Sequence, residues 1–284
     1  CNTVGNYILI FGKLGLPALG ITGAAIATFS SRVVEFVISL VYALHCKQMP
    51  LLPACILRPG KATFRSFVKF STPVLLNETL WGTGTSLYTV IMGHMAGSTD
   101  LISAYTVAGN IDKMVTVAIF GVAAAAAVIV GKEVGMGGKN AYDIGRALIF
   151  VAFCTGLGVA IVEQLLFLLV LQPHVLPLFS MSAVSASLCV TMMICYSLSA
   201  PLHAFATTGI VGVLRGGGDV RAAMFIDLLP LWCFTLPLLA MLGLVIHAPI
   251  ALFCFVMAME SLLKVPLGMH RVRSGKWIHD VTRE

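Results

Sequence analysis

The sequence has few charged residues and lacks the motifs of a soluble enzyme. Asp, Glu, Lys and Arg make up only 11% of its 284 residues, whereas soluble domains carry about 25%. No C-x-x-C pair indicates a zinc or redox site. The glycine-rich segments 135–138 and 216–218 lack the preceding strand and the G-K-[ST] ending of a phosphate-binding loop. These absences exclude an ordinary soluble core and the common nucleotide and zinc sites.

What the sequence has instead is a series of long apolar stretches. Hydrophobic residues make up 58% of the chain, and a helix needs roughly 20 apolar residues to cross a bilayer. An all-α, polytopic transmembrane helical bundle is therefore predicted. Its seven predicted spans are residues 19–45, 71–95, 101–131, 146–172, 183–210, 221–246 and 248–270.

Lysine and arginine are concentrated in every second gap between these spans. The positive-inside rule therefore predicts that these gaps and the C-terminus are cytoplasmic. The formal charge of +6 is spread over four separate segments, with no aromatic-interleaved basic stripe, so nucleic-acid binding is not expected. The basic residues of these segments are Lys47, Arg58, Lys61, Arg65, Lys69, Lys132, Lys139, Arg146, Arg215, Arg221, Arg271, Arg273, Lys276 and Arg283.

Several short segments, in the same order along the chain, resemble the multidrug and toxic compound extrusion (MATE) transporters. One is similar to the connection between the family's fifth and sixth helices, and others to its seventh helix, its alanine-rich eighth helix and the turn after its tenth. The resemblance implies the C-terminal six-helix lobe plus helix six and the end of helix five. The segments are residues 9–17 with 20–28, residues 71–73 with 77–81, residues 121–127 with 130–131, and residues 214–219.

The resemblance also implies how the chain is divided. Residues 1–45 would be the end of the N-terminal lobe, and residues 46–70 a cytoplasmic connection between lobes. Residues 71–270 would form the C-terminal lobe, and residues 271–284 a cytoplasmic tail. Because residues 7–11 resemble the outer end of a helix whose beginning is absent, and no signal sequence precedes them, we expect a C-terminal fragment of a longer protein.

The function that the resemblance implies is ion-coupled export. It predicts an antiporter in the cell membrane that expels organic cations or drugs in exchange for Na⁺ or H⁺, without a cofactor beyond the transported ion. Its partners would be small organic cations, the lipid bilayer and the N-terminal lobe. No enzymatic activity and no nucleic acid are expected.

Glu78 is the first candidate for ion coupling, because its predicted helix contains nothing basic beyond Lys69. Positions 78, 82, 85 and 89 form a small, polar helix face that is predicted to point inward. Trp81 and Tyr88, on the adjoining face, could offer aromatic surface to a hydrophobic cation. The alternative is that Glu78 only forms a hydrogen bond that holds two helices together.

Asp227, Asp112 and His203 complete the candidate site. Asp227 lies near Pro230, and its alternative role is a hydrogen bond to Thr235 or to a neighbouring helix. Asp112 and the adjacent Lys113 point about 100° apart on a helix, so each is expected to find a partner on another helix.

His203 lies on the segment that resembles the tenth helix, which here contains no acid, unlike the best-known bacterial members of the family. It is either a group for proton coupling or a donor that serves helix packing. Two further pairs, Arg32 with Glu35 and Glu260 with Lys264, are spaced to neutralise themselves along one helix face. Glu163 is left without a role.

Three other functions remain open. A lipid-linked polysaccharide flippase of the same superfamily would be expected to have a more cationic cavity. A seven-helix receptor fits the number of spans but not the start of the chain inside a helix, nor the lack of an extracellular disulfide pair. A membrane enzyme is disfavoured because no group of residues supplies a nucleophile with its base.

Overall fold

The computed structural model describes residues 2–15, 17–45, 60–175 and 181–279, and these residues are almost entirely helical or in short turns. The chain divides into two compact units, Cys1–Val68 and Lys69–Glu284. In the first unit, helices α1 (Asn2–Phe11) and α2 (Gly20–His45) lie against each other. They approach closely because Gly23 has no side chain: a Cβ there would lie 2.6 Å from the Leu9 carbonyl oxygen.

The second unit is a bundle of six helices joined by turns. The α3 helix begins in the first unit and continues into the second, and α5, α6 and α7 each contain π-helical stretches. The helices are α3 (Lys61–Gly93), α4 (Ser98–Gly135), α5 (Ala141–His174), α6 (Ala183–Leu214), α7 (Val220–Val245) and α8 (Ile250–Arg273). This confirms the predicted fold class, an all-helical membrane bundle with a six-helix lobe.

Six of the seven predicted spans are helices that are long and apolar enough to cross a membrane, namely α2 and α4 to α8. The span predicted at residues 71–95 does form a helix, α3, but it is not among the six. The reason is its composition, since the middle of α3 carries Asn77, Glu78 and several threonines, and its N-terminal part is basic. The prediction of seven apolar spans is therefore confirmed for six helices and not for α3.

The predicted connection at residues 46–70 is partly helical. Residues 61–70 form the first turns of α3, which begins directly after Pro59 and Gly60, two residues that disfavour helix. Residues 46–59 of the predicted connection lie outside the described part of the chain.

Small residues set the spacing of the central helices. A Cβ at Gly212 in α6 would lie 2.8 Å from the Cβ of Ala126, which belongs to the alanine-rich stretch of α4. A Cβ at Gly156 in α5 would lie 2.7 Å from the Cα of Pro201 in α6. Such close approach is typical of membrane helices, which gain stability from van der Waals packing rather than from the hydrophobic effect.

The segment predicted as a cytoplasmic tail, residues 271–284, folds back on the bundle where it is described. Helix α8 continues to Arg273, and Trp277 is fully buried, with its indole N–H donating to the Val272 carbonyl at 3.0 Å. The backbone N–H of His279 donates to the Gly217 carbonyl at 2.8 Å. Residues 274–279 therefore belong to the folded bundle, and residues 280–284 lie outside the described part.

Candidate functional site

A cavity of about 270 Å³ lies inside the second unit, between α3, α4, α6, α7 and α8. It brings together four of the six predicted site residues, Glu78, Trp81, His203 and Asp227. These four come from three different helices, so the fold gathers them although they are distant in sequence. The other residues that line the cavity are Phe120, Ala206, Thr207, Ile210, Val211, Arg215, Ser261 and Lys264.

Glu78 is paired with an arginine from the end of α6. The Nη1 atom of Arg215 donates to Oε1 of Glu78 at 2.8 Å. The Glu78 side chain is 56% exposed, whereas that of Arg215 is only 15% exposed. Glu78 is therefore the accessible member of a pair whose other member is largely buried.

Asp227 and Glu260 share one lysine. The Nζ atom of Lys264 lies 2.6 Å from Oδ1 of Asp227 and 2.6 Å from Oε1 of Glu260. Asn77 also donates to the other oxygen of Asp227, at 2.9 Å. The predicted pair of Glu260 and Lys264 is confirmed, but it does not neutralise itself completely because Lys264 serves a second carboxylate. The expected partner of Asp227 on a neighbouring helix is also present, whereas Thr235 is not among its hydrogen-bond partners within the described residues.

His203 lies in the cavity wall between an aromatic and a hydroxyl group. Its ring meets the ring of Phe120 edge to face, with centroids 6.1 Å apart. Its Nε2 atom lies 3.4 Å from Oγ1 of Thr207, one helical turn away. These contacts suit a packing role, and the position in the cavity suits an ion-binding role, so both hypotheses for His203 remain.

Tyr88 does not line this cavity. It is 4% exposed, and its hydroxyl donates to Oε2 of Glu260 at 2.6 Å. It therefore supports the Glu260 carboxylate instead of presenting an aromatic surface. The predicted inward face of α3 is offset, because Asn77, Gly84 and Tyr88 are buried while Thr89 is exposed. Neighbouring positions on a helix differ by 100°, so Glu78 lies at the edge of the buried face.

Asp112 also lies away from the cavity. Among the described residues its carboxylate has no hydrogen-bond or ion-pair partner on another helix, contrary to the expectation from sequence. Its nearest counter-charge is that of the adjacent, exposed Lys113, with which it interacts electrostatically. The group that it approaches on another helix is acidic, Glu163 in α5.

The charged cluster at the cavity has a formal charge of minus one. Two carboxylates, Glu78 and Asp227, and two basic side chains, Arg215 and Lys264, line the cavity. The third carboxylate, Glu260, is not among the lining residues and pairs with Lys264. An excess of negative charge in a largely desolvated site favours a cation over an anion. The sequence did not indicate a role for Arg215 in the cavity, because this residue lies in a predicted turn. Lys264 could have been recognised as a functional residue, because it is a lysine inside an apolar span.

Comparison with known proteins identifies the family. Residues 73–241 match the family model described as MatE, which is more than half of the chain. The probable multidrug resistance protein NorM of Pasteurella multocida is 25% identical over 245 residues, covering 82% of this chain and 49% of that protein. The chain thus spans about half the length of this relative.

Solved structures show the same fold. A mutant of the Vibrio cholerae MATE transporter VcmN has a TM-score of 0.76 at 16% identity, covering 100% of this chain and 61% of that one. The MATE transporter ClbM, in complex with Rb⁺, has a TM-score of 0.70 at 18% identity, covering 97% and 59%. The chain therefore belongs to the MatE family, as a multi-pass membrane protein of a family whose members are transporters and not enzymes.

Proposed function

We propose that this chain is the C-terminal part of an antiporter that exports organic cations or drugs across the cell membrane in exchange for Na⁺ or H⁺. The observation that carries the proposal is the charged cluster at the cavity: Glu78, Asp227, Arg215 and Lys264 in the lining, and Glu260 paired with Lys264 outside it. The formal charge of minus one of this cluster suits both a coupling ion and a cationic substrate. The relative named as a multidrug resistance protein and the Rb⁺ complex of ClbM agree with this reading.

Glu78 is the group best placed to exchange partners. It is more than half exposed, and within the described residues its ion-pair partner is Arg215, at 2.8 Å. A cation that enters the cavity can compete with Arg215 for this carboxylate. Trp81 and Phe120 line the same cavity and offer aromatic faces to the apolar part of an organic cation.

Asp227 has the complementary task of holding the cavity together. Its side chain is 15% exposed and is fixed by Lys264 and Asn77 at 2.6 and 2.9 Å. A cation that weakened the contact with Lys264 would alter the packing of α7 against α3 and α8. Ion binding can shift a transporter between two conformations only if the ion binds one of them more tightly. The contacts of Lys264 with its two carboxylates would differ between the ion-bound and the ion-free state.

The proposed antiporter needs an N-terminal lobe as a partner and a defined orientation in the membrane. Alternating access requires two bundles that move against each other, so we propose that the second unit works with an N-terminal lobe of the same protein. The basic turns of the second unit and the C-terminus would face the cytoplasm.

The proposal can be tested by efflux of a fluorescent organic cation from loaded cells that produce the full protein encoded by the gene. Sodium and proton gradients are collapsed in turn, and wild type is compared with Glu78→Gln. We expect efflux to need one of the two gradients and to be abolished by Glu78→Gln while the protein remains in the membrane. The matched control is Glu35→Gln, which removes an exposed Arg–Glu pair of 2.6 Å outside the cavity and should leave efflux unchanged.

Two results would contradict the proposal. Efflux that does not depend on Glu78 would place ion coupling outside this cavity. An absence of efflux of any organic cation from wild type would favour the lipid-linked polysaccharide flippase, in which Arg215 and Lys264 would serve an anionic cargo instead of balancing carboxylates.

A further inference from the structure

Glu163, in the α5 helix, is a fully buried carboxylate without a partner. Its side chain has 0% exposure, and neither Oε1 nor Oε2 has a hydrogen-bond partner among the described residues. The next residue, Gln164, accepts a hydrogen bond from Ser197 in α6 at 2.9 Å, which fixes the rotation of α5 at this level. A buried ionised carboxylate without donors is strongly unfavourable, so this group requires neutralisation.

A second carboxylate, Asp112 in α4, lies at the same depth of the bundle. Along their helices, Asp112 is about 35 Å before Gly135 and Glu163 is about 33 Å after Ala141. Because α4 and α5 run in opposite directions from the turn between these ends, the two acids lie at the same level. The Asp112 carboxylate acts electrostatically on Glu163, and this interaction is repulsive when both groups are ionised.

The positive charge near Asp112 and Glu163 is one less than the negative charge. The basic group near Asp112 is the exposed Lys113. Among the described residues, the charged group that acts on Glu163 is Asp112 itself. Two carboxylates and one lysine leave a net charge of minus one. One monovalent cation restores neutrality.

We propose that Asp112 and Glu163 form a second ion site, outside the cavity, that holds one small monovalent cation, H⁺ or Na⁺. A proton would bind to a Glu163 oxygen and turn it into a hydrogen-bond donor. A sodium ion would be bound by oxygens of both carboxylates. A part in transport rests on the antiport function proposed above, but occupancy of the site does not.

The test uses the purified full protein and equilibrium binding, so it needs no transported substrate. Infrared difference spectra between wild type and Glu163→Gln report a protonated carboxyl group by its carbonyl stretch, and radioactive Na⁺ reports bound sodium. We expect Glu163→Gln to remove either one protonated carboxyl band at neutral pH or one bound Na⁺ per protein. The control Asp143→Asn changes an exposed acid of the same helix and should remove neither.

The outcome identifies the ion or refutes the site. Loss of the band assigns a proton, and loss of Na⁺ assigns sodium. If Glu163→Gln folds and changes neither signal, the site does not exist. If Glu163→Gln fails to fold, the variant Asp112→Asn is measured instead. Loss of Na⁺ affinity, or a shifted titration of the carboxyl band, supports the site. An unchanged signal overturns it. A protein that binds the ion but exports nothing would refute the antiport proposal alone.

Discussion

Lys264 is the residue on which the charge balance of the cavity most depends. It is 9% exposed and lies 2.6 Å from each of two carboxylates, Asp227 and Glu260, that are themselves 15% and 12% exposed. A buried ion pair contributes little net stability compared with apolar residues, but the loss of one member leaves an uncompensated charge. The shared lysine therefore couples the two acids to each other.

Replacing this lysine should be strongly destabilising. Lys264→Met keeps the length of the side chain but leaves Asp227 and Glu260 without their counter-charge, and we expect a loss of about 3–5 kcal/mol. Thermal unfolding of the purified protein in detergent measures the effect. The control Lys276→Met removes an exposed lysine and should change stability by less than about 0.5 kcal/mol. An unfolding temperature for Lys264→Met equal to that of wild type would refute the role of the shared lysine.

At the scale of residues, the sequence predicted which side chains matter better than it predicted their partners. Acids within apolar spans are costly, which singled out Glu78 and Asp227, and both line the cavity. The partners Arg215 and Lys264 come from other helices, and helix periodicity contains no information about contacts between distant segments. The same limit explains why Asp112 was assigned to the cavity although it lies beside Glu163.

Helices α5 and α6 pack closely against each other at Gly156. Gly156 of α5 faces α6 so closely that a Cβ would lie 2.7 Å from the Cβ of Ala204 and 2.9 Å from the Ala200 carbonyl oxygen. The Pro201 backbone lies at the same contact. Since part of this contact is backbone, it cannot yield by a change of rotamer.

Two glycines on the same helix should therefore respond in opposite ways to substitution. We expect Gly156→Ala to destabilise the protein by about 1–3 kcal/mol through overpacking. Gly158→Ala meets nothing within 4 Å and should stabilise α5 by up to about 1 kcal/mol, because alanine favours helix over glycine. Resistance to thermal unfolding in detergent distinguishes the two. Equal effects of both changes would contradict the close contact.

At the scale of elements, the positions of the helices were predicted well from the sequence but their ends were not. Apolar length placed α2 and α4 to α8 within a few residues, because a membrane helix must be long and apolar. The predicted connection and tail were too long, since residues 61–70 are the first turns of α3 and residues 274–279 fold back onto the bundle. Hydropathy cannot show that Trp277 is buried against Gly217, because both lie in sequence that resembles a loop.

The orientation of the whole molecule can be tested at the two ends of α4. Lys139 lies in the turn after this helix and Thr99 lies at its start, and both are exposed. In a background without the eight native cysteines, we expect Thr99→Cys to react with an impermeant maleimide added to intact cells. Lys139→Cys should react only after the membrane is opened. The reverse pattern would contradict the orientation predicted from the basic residues.

The central claim is that the protein exchanges a cation for an organic cation through the carboxylate cavity. The most direct measurement uses the full protein in liposomes, with a gradient of the organic cation imposed and the movement of Na⁺ and H⁺ recorded at the same time. We expect one of the two ions to move in the opposite direction, in fixed proportion to the organic cation, and this movement to be lost in Glu78→Gln. Organic cation flux without any movement of Na⁺ or H⁺, or ion exchange that persists in Glu78→Gln, would contradict it.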